Sequence, residues 1–290
     1  MNPVWRLLVH EPAAGQTNMA IDEAMMQTLA GGPATPTLRF FRWRPACVSL
    51  GYFQSAVDEV DLAACRRLGI DLVRRPTGGR AILHDAELTY SVVARVDDPA
   101  VSGSIVESYR KISLALLCGL REVGVSAEMK PVGQQAAPGG PGRAGEGEGQ
   151  PESARRVLTP ACFDVPSDYE IAVAGRKLVG SAQMRQNGVL LQHGSVLLEV
   201  DTVQTFTALR PPPGRERAEV ARWLAERVTS VRAELGRPVS FEEVAAALRQ
   251  GFATALGVEL EAGELTREER ALTERLRAEK YSTEEWNLKR

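Results

Sequence analysis

Two kinds of hydrophobic pattern alternate along this chain. Apolar residues recur at the three- and four-residue spacing of an amphipathic helix in some stretches, and short apolar or alternating runs predict β-strands in others. The predicted helices are 17–32, 57–69, 104–125, 216–235, 240–256 and 266–287; the predicted strands are 36–43, 46–53, 70–75, 81–83, 88–96, 169–173, 177–181, 189–191 and 195–200. Strands and helices are mixed and many strands are hairpin neighbours, so we predict an α+β fold with a mixed or antiparallel β-sheet flanked by helices.

Capping residues mark several helix ends. Thr17 or Asn18 can cap the first helix, and Asp22 and Glu23 favour its first turns. Ser240 has a glutamate three residues later, which predicts a capping box at the start of 240–256.

One stretch lacks large apolar residues. Segment 133–157 is rich in Gly, Pro, Ala, Glu and Gln and cannot bury enough surface to offset the entropy of ordering. We therefore interpret it as a flexible insert within a main domain 1–250, which is followed by a mainly helical C-terminal segment 251–290.

Composition excludes several classes of protein. The formal net charge of −2 gives no overall basic field for nucleic acid. No stretch is apolar enough for a signal peptide or a membrane span, so we expect a cytoplasmic protein. The four cysteines are scattered and there are three histidines, so no metal site is expected.

The first candidate motif is "RRPTGGRAILHD", residues 74–85. Its two glycines allow a sharp turn at a strand end, and their amides can touch a ligand directly. The loop could grip an acyl carbonyl or a phosphate, or it could be an ordinary β-hairpin turn with solvated arginines. It is neither a P-loop nor a dinucleotide fingerprint.

A cysteine and a lysine form the second candidate. Cys162 lies outside any clear apolar periodicity, unlike Cys47, Cys65 and Cys118, so it is the candidate reactive thiol, although most free cysteines are simply buried. Lys177 is an ordinary strand residue or, near a thiol, a group that lowers the thiol pKa, donates to an oxyanion or accepts a proton.

Several motifs together resemble one family. "RRPTGGRAILHD", "YEIAVAGRKLVGSAQMRQ" and "LQHGS", in this order, resemble the lipoyl/biotinyl protein ligase superfamily, and "NMAIDEAMM" and "KYSTEEWN" fit it too. The resemblance covers nearly the whole chain except the insert. It implies the biotin/lipoate protein ligase catalytic fold, with 1–250 as the catalytic domain.

Two departures select a branch of that family. ATP-dependent lipoate ligases typically carry a third glycine where this chain has Arg80, and Asn-Asp where it has "ACFDVPSDYE". Both departures resemble the cysteine-dependent octanoyltransferases of Gram-positive-type bacteria, which need no cofactor. The resemblance implies Cys162 as the acyl-accepting cysteine and Lys177 as the active-site lysine. An ATP-dependent lipoate ligase, an octanoyl amidotransferase between lipoyl domains and a non-catalytic acyl- or partner-binding module remain alternatives.

The motifs themselves supply a set of candidate substrate-binding residues. They are Arg74, Arg75, Thr77, Gly78, Gly79, Arg80, His84, Gly180, Ser181, Ala182 and His193. Leu83, Tyr90 and Val92 are further candidates for the wall of an acyl tunnel. The three arginines either steer an acidic carrier or are solvated turn residues.

The implied partners are acidic proteins. Octanoyl-acyl carrier protein would be the donor, and the lipoyl domain of the glycine-cleavage H protein or of a 2-oxoacid dehydrogenase E2 subunit would be the acceptor. We expect a monomer that binds neither nucleic acid nor membrane.

Deletion of residues 136–150 tests the interpretation of the insert. We expect octanoyl transfer within about twofold of wild type, because a segment without large apolar residues contributes little to a packed core. Steady-state transfer rates of the two proteins check this. A large loss of rate in a deletion variant with unchanged circular dichroism would show that the segment docks a partner.

Overall fold

The structure is a computed structural model, and it describes residues 2–130 and 170–289. Its strands in the described part are β1 (Val4–Val9), β2 (Thr37–Phe41), β3 (Cys47–Leu50), β4 (Asp71–Arg74), β5 (Ile82–His84), β6 (Glu87–Arg95), β7 (Glu128–Lys130), β8 (Glu170–Val173), β9 (Arg176–Gln186), β10 (Val189–Leu197) and β11 (Glu259–Ala262). The helices are α1 (Gly15–Gly31), α2 (Ala56–Glu59), α3 (Leu62–Leu68), α4 (Ile105–Glu122), α5 (Thr202–Ala208), α6 (Arg217–Ala225), α7 (Val231–Leu235), α8 (Phe241–Leu256), α9 (Arg267–Leu276) and α10 (Glu284–Asn287).

The described strands form two sheets. The larger has the order β11-β1-β2-β6-β10-β9-β8-β7, and the smaller has the order β4-β3-β5. β1 runs parallel to β2 and β11, whereas each strand from β2 to β7 along the order is antiparallel to its neighbour. The predicted α+β fold with a mixed sheet is confirmed.

Helices cover both faces of the larger sheet. α4 and α8 pack against one face, where Leu88, Tyr90 and Val92 of β6 meet Leu116 and Leu248. α1 covers the other face through Ile21 and Met25, which contact Val93 and Leu191. Successive strand residues point to opposite faces, so β6 contributes its even-numbered residues to the first core and its odd-numbered residues to the α1 side.

Several helix and strand boundaries differ from the predicted ones because of tertiary contacts. The predicted strands 189–191 and 195–200 are one strand, because β10 pairs without a break with both β6 and β9 through Gly194. The predicted helix 216–235 is interrupted because Arg227 and Thr229 form backbone hydrogen bonds of 2.7 and 2.9 Å with Lys177. The predicted helix 57–69 is two helices, since Asp61 accepts from the Ala64 amide and begins α3.

The C-terminal part adds more than helices. β11 extends the larger sheet beside β1, and a π-helical turn over Arg277–Tyr281 separates α9 from α10 where one helix was predicted. α8 continues through position 250, so the predicted boundary between 1–250 and 251–290 falls inside a helix.

Two predicted helix starts also differ. Ala14 precedes α1 without a side-chain cap, and the buried Asn18 amide instead donates to Ala13 O and Arg42 O. Ser240 does cap α8, but the Glu243 carboxylate binds Arg237 rather than the Ser240 backbone, so the capping box is only half formed.

α4 and α8 cross where two glycines face each other. A Cβ on Gly251 would lie 2.2 Å from the Gly119 nitrogen, and one on Gly119 would lie 2.6 Å from Leu248 Cα. The two backbones therefore touch, and no larger side chain fits without moving a helix.

Gly251→Ala should lower the free energy of unfolding by about 1–3 kcal/mol, because overpacking outweighs the gain in helix propensity. The matched control is Gly31→Ala at the end of α1, where an added Cβ meets nothing within 4 Å. Urea unfolding of both variants measures the difference. Equal stability of Gly251→Ala and Gly31→Ala would contradict the close contact between the α4 and α8 backbones.

Candidate active site

A narrow apolar cavity lies between β9 and β10, the smaller sheet and α1. The empty space between these elements, counted together with its opening to solvent, is about 360 Å³. Six of the predicted substrate-binding residues line it: Arg75, His84, Gly180, Ser181, Ala182 and His193. Met19, Trp43, Ser49, Ile82, Thr89, Gly194 and Ser195 complete the wall. A cavity with apolar walls and a few polar groups suits a small ligand with a hydrocarbon part.

His84 is held on all sides in the cavity wall. Its Nδ1 lies 2.8 Å from Glu87 Oε1, and its Nε2 lies 2.7 Å from Ser49 Oγ. Trp43 stacks on the imidazole with ring centroids 4.0 Å apart. Glu87 also accepts from Thr89 and from Ser195 Oγ, the latter at 2.7 Å. These contacts hold the imidazole in one orientation.

His193 is the second imidazole in the wall. Its Nδ1 lies 3.2 Å from Asp22 Oδ2, and its Nε2 lies 2.6 Å from Thr77 Oγ1. Burial lowers the pKa of His193 and outweighs the opposing effect of the Asp22 carboxylate. The imidazole is therefore neutral at neutral pH.

Asp22 connects this histidine to a buried cation. Its Oδ1 accepts from Arg39 Nη1 at 2.8 Å and from Ser91 Oγ at 2.9 Å, and both members of the ion pair are fully buried. Burial is the largest influence on the Asp22 carboxyl and raises its pKa. The His193 hydrogen bond and the Arg39 charge together more than offset it, so the net pKa is lowered. The ion pair thus stabilises the fold above the ordinary pKa of an aspartate, and this contribution is lost as the pH falls through the lower folded-state pKa.

Arg75 braces the glycine turn from inside. Its guanidinium donates to Gly78 O at 2.8 Å, to Arg80 O at 2.7 Å and to Ser49 O at 2.9 Å. Gly79 has φ +91°, a conformation that favours glycine. The buried Arg75 is therefore neither a solvated turn residue nor a surface charge.

Arg74 has a different task. Its fully buried guanidinium donates to backbone carbonyls of two separate segments: Gly51, Tyr52 and Gln54 in one, and Trp286, Asn287 and Lys289 in the other. Asn287 Oδ1 also accepts a hydrogen bond from the Arg74 backbone amide at 2.8 Å. Neither role that was considered for Arg74, steering or solvation, fits this position. The motif "KYSTEEWN" is explained by the same contacts, because they anchor its Trp-Asn pair.

Arg80 is the member of the arginine trio that lies nearest to solvent. It is half-buried, and its Nε has no hydrogen-bond partner within residues 2–130 and 170–289. Arg74 and Arg75 are buried, whereas the partly exposed Arg80 keeps a position compatible with binding a partner or an anion.

Lys177 is the second residue of β9, the strand that also carries Gly180. Its ammonium binds the Glu170 carboxylate, and its side chain is 7% exposed. It does not line the cavity itself, but lies three residues before Gly180, which does. Cys162, the predicted nucleophile, lies outside the described residues.

Cys47 and Cys65 are buried thiols. Cys47 is fully buried, and burial raises its thiol pKa well above the ordinary value. Burial also raises the pKa of Cys65 to about 11. Both thiols are protonated at neutral pH and are poor nucleophiles.

The predicted tunnel residues do not line the cavity. Leu83 alternates with Ile82 and His84 on β5, so it points away from the cavity and packs in a second core with Val48 and Leu197. Tyr90 and Val92 face the α4–α8 core for the same reason, and Thr89 occupies the cavity side of β6 instead.

The sequence reasoning missed Arg39 and Glu87 and interpreted Asp22 only as a helix-start residue. A signal for Glu87 was available, because Glu87, Thr89 and Ser91 are polar at every second position of β6. That alternation marks a polar stripe on one face of the strand. No comparable pattern surrounds Arg39, since all residues of β2 are buried.

An open groove adjoins the glycine turn. Its empty volume is about 1360 Å³, and it is lined by residues of α1, the β9–β10 hairpin and the C-terminal segment, including Gln27, Pro76, Gly78, Arg185, Lys280 and Trp286. Gly78 thus lies at the groove while its neighbour Thr77 contacts the cavity wall. The glycine turn thus lies between the cavity and the groove.

No cluster of three His, Cys, Asp or Glu residues suited to a metal ion occurs in 2–130 or 170–289. Within the same ranges, no helix has the length and apolar character needed to cross a bilayer.

Comparison with known proteins identifies the class. Residues 14–253 match the family model described as the lipoyl protein ligase A/B catalytic domain, so the chain belongs to this family. The resemblance inferred from the motifs is confirmed.

The relatives narrow the class further. The protein named Octanoyltransferase LipM from Kyrpidia tusciae is 49% identical over 99% of both chains. The protein of the same name from Bacillus subtilis is 38% identical over 99% of this chain and 98% of its own. These names support the octanoyltransferase branch that Arg80 and the cysteine-containing stretch predicted.

Solved structures agree on the fold. A bi-partite lipoate protein ligase of Thermoplasma acidophilum, studied with its E2 lipoyl domain, matches with a TM-score of 0.78 at 31% identity and covers 99% of this chain and 98% of its own. A lipoate-protein ligase A bound with ATP matches with a TM-score of 0.75 at 30% identity, covering 98% of both chains.

Arg74→Met separates the structural role of this arginine from partner steering. We expect the free energy of unfolding to fall by at least about 3 kcal/mol, because several buried carbonyls lose their donor. Arg67→Met, at an exposed position of α3, should leave stability within about 0.5 kcal/mol of wild type. Denaturant unfolding measures both. If Arg74→Met kept full stability while KM for the carrier rose and lost its salt dependence, Arg74 would be a steering residue.

Proposed function

We propose that this chain is an octanoyltransferase that works in the cytoplasm, in the first step of lipoate biosynthesis. It takes an octanoyl group from octanoyl-acyl carrier protein, holds it as a thioester on Cys162 and passes it to the lysine of a lipoyl domain. Full-length relatives named for octanoyl transfer support the reaction. The archaeal ligase studied with its E2 lipoyl domain supports the class of acceptor.

The observation that carries the proposal is the apolar cavity. Residues from three separate sequence motifs converge on it: Arg75 and His84 from the first, Gly180 to Ala182 from the second, and His193 from the third. Each buried methylene of an acyl chain contributes about 0.8 kcal/mol, so an octanoyl chain in such a cavity gains several kcal/mol. That gain favours octanoyl over short acyl groups.

The chemistry needs no ATP. The Cys162 thiolate attacks the thioester carbonyl of the donor, a new carbon–sulfur bond forms, and the carrier thiolate leaves and takes up a proton. The neutral amine of the acceptor lysine then attacks the acyl-cysteine. An amide bond forms, the carbon–sulfur bond to Cys162 breaks, and the amine proton leaves as the Cys162 thiolate is restored.

Lys177 is the proposed charged group of the site. Its ammonium, paired with Glu170, favours a nearby thiolate and can donate to the oxyanion of each tetrahedral intermediate. The glycine turn adds backbone amides for the same oxyanion. Thr77, Gly78, Gly79 and Arg80 are therefore proposed to meet the acyl carbonyl and the donor's prosthetic arm, with the open groove receiving the protein that carries it.

Intact-mass spectrometry tests the covalent step. Wild-type protein incubated with octanoyl-acyl carrier protein in the absence of ATP should gain one octanoyl group and lose it when an apo lipoyl domain is added. Cys162→Ala should show neither the gain nor transfer, because the attacking sulfur is absent.

Cys118→Ser is the matched control, since Cys118 is a free, half-buried thiol in α4. This variant should behave as wild type. An acyl gain that persists in Cys162→Ala, or octanoylation of the lipoyl domain without any acyl-enzyme, would overturn the covalent route. Lipoylation that requires free lipoate and ATP would instead assign the ligase reaction of the structural neighbours.

A further inference from the structure

A chain of hydrogen bonds runs from the buried ion pair to the glycine turn. It passes from Asp22 of α1 through His193 of β10 to Thr77, which precedes Gly78 and Gly79. All three residues are buried, with exposed fractions of 0%, 6% and 0%. In the proposed transfer reaction, His193 serves only as part of the cavity wall, Thr77 serves only through its position in the loop, and Asp22 has no part.

The network assigns the direction of each hydrogen bond. Asp22 Oδ1 accepts from the permanently charged Arg39, and an ionised carboxylate is an acceptor only. Nδ1 of His193 therefore carries the hydrogen that is donated to Oδ2. A neutral imidazole then has a lone pair on Nε2, so Thr77 Oγ1 must be the donor in that 2.6 Å contact. The threonine hydroxyl is thus directed inward.

Other contacts complete the anchoring of the turn. Thr77 O accepts from the Tyr52 amide at 2.9 Å, and Arg75 holds the carbonyls of Gly78 and Arg80. The Gly78 carbonyl and the Gly79 N–H belong to one peptide, and a trans peptide directs these two groups in opposite directions. The Gly79 N–H therefore points away from Arg75. Gly79 is exposed, and its amide has no backbone acceptor within the part of the chain that the structure describes. The turn therefore offers this amide outward.

We propose that Asp22, His193 and Thr77 form a positioning relay that sets the rotation of the Gly78–Gly79 turn, and with it the place where the turn's amides meet the acyl carbonyl. The inference rests on the proposed function and adds two positioning residues, Asp22 and His193, to it. Arg75 fixes the carbonyl side of the turn, whereas the relay fixes the residue at which the turn begins. A purely apolar contact at Thr77 would fill the same space without directing the loop.

Thr77→Val and Thr77→Ser separate the hydroxyl from the volume of the side chain. Valine matches threonine in shape but cannot donate to His193, whereas serine can. We expect Thr77→Val to lower kcat about 10- to 100-fold, as a small displacement of an oxyanion donor does, with KM for octanoyl-acyl carrier protein within about threefold of wild type. Thr77→Ser should restore kcat to within about threefold of wild type.

Thr273→Val is the control for a buried threonine-to-valine change. Thr273 in α9 is buried, and its hydroxyl has no partner in the described residues. This variant should keep the wild-type kcat. If Thr77→Val did the same, or if Thr77→Ser were as slow as Thr77→Val, the relay would have no part in positioning.

NMR tests the relay without relying on turnover. The chain has three histidines, so long-range ¹H–¹⁵N spectra of wild type and His193→Gln assign the His193 ring. We expect a neutral ring with hydrogen on Nδ1, and a shift of the Nε2 resonance in Thr77→Val. Hydrogen on Nε2 would overturn the proposed direction of the bonds. A wild-type enzyme that forms no acyl-Cys162 but shows the expected tautomer would refute the proposed function and leave the relay intact.

Discussion

The Asp22–Arg39 ion pair is the constraint around which the site is organised. Two charges that are completely removed from water cost several kcal/mol each unless their remaining hydrogen-bonding capacity is used. Here that capacity is used: Arg39 also donates to Asn18 Oδ1 at 2.7 Å and to His10 Nδ1 at 2.9 Å, and its guanidinium lies 3.9 Å from the centre of the Phe41 ring. α1, β2, β6 and β10 are thereby held in one arrangement.

This arrangement explains why an apolar cavity can have polar walls. His84 and His193 both border the cavity, yet each imidazole nitrogen has a partner outside the space that a ligand would occupy. A hydrocarbon chain in the cavity would therefore leave these hydrogen bonds intact. The cavity wall also contains small residues such as Gly180, and Trp43 covers one face of the His84 ring.

The sequence predicted the general architecture because the patterns that encode it are local. The period of α4, the Ser240 cap of α8 and the glycine turn were all readable from neighbouring residues. The errors arose where distant segments compete for the same backbone. Lys177 pairs with Arg227 and Thr229 and breaks a predicted helix fifty residues away in the chain. Leu83, Tyr90 and Val92 were assigned to the cavity because position in a strand was inferred without its register, and a one-residue error exchanges the two faces.

The site residues also divide into those that local motifs predict and those that only a distant partner explains. His84 and His193 could be selected from their motifs, and both line the cavity. Arg39 could not, because a charged residue in a fully buried strand is explained only by its partner, and that partner, Asp22, lies on a helix seventeen residues earlier. Arg74 and Arg75 are adjacent in the chain, but Arg75 faces the cavity while Arg74 points to the C-terminal segment.

The Arg74 contacts also set an order of events during biosynthesis. This guanidinium binds carbonyls at positions 51–54 and at 286–289, so the loop beside the glycine turn cannot reach its final state while the later segment is still being made. Domains form from the N-terminal side as the chain emerges from the ribosome. A nascent chain can thus build most of the larger sheet early, whereas the loop at 51–54 stays unfinished until residues 286–289 have emerged from the ribosome.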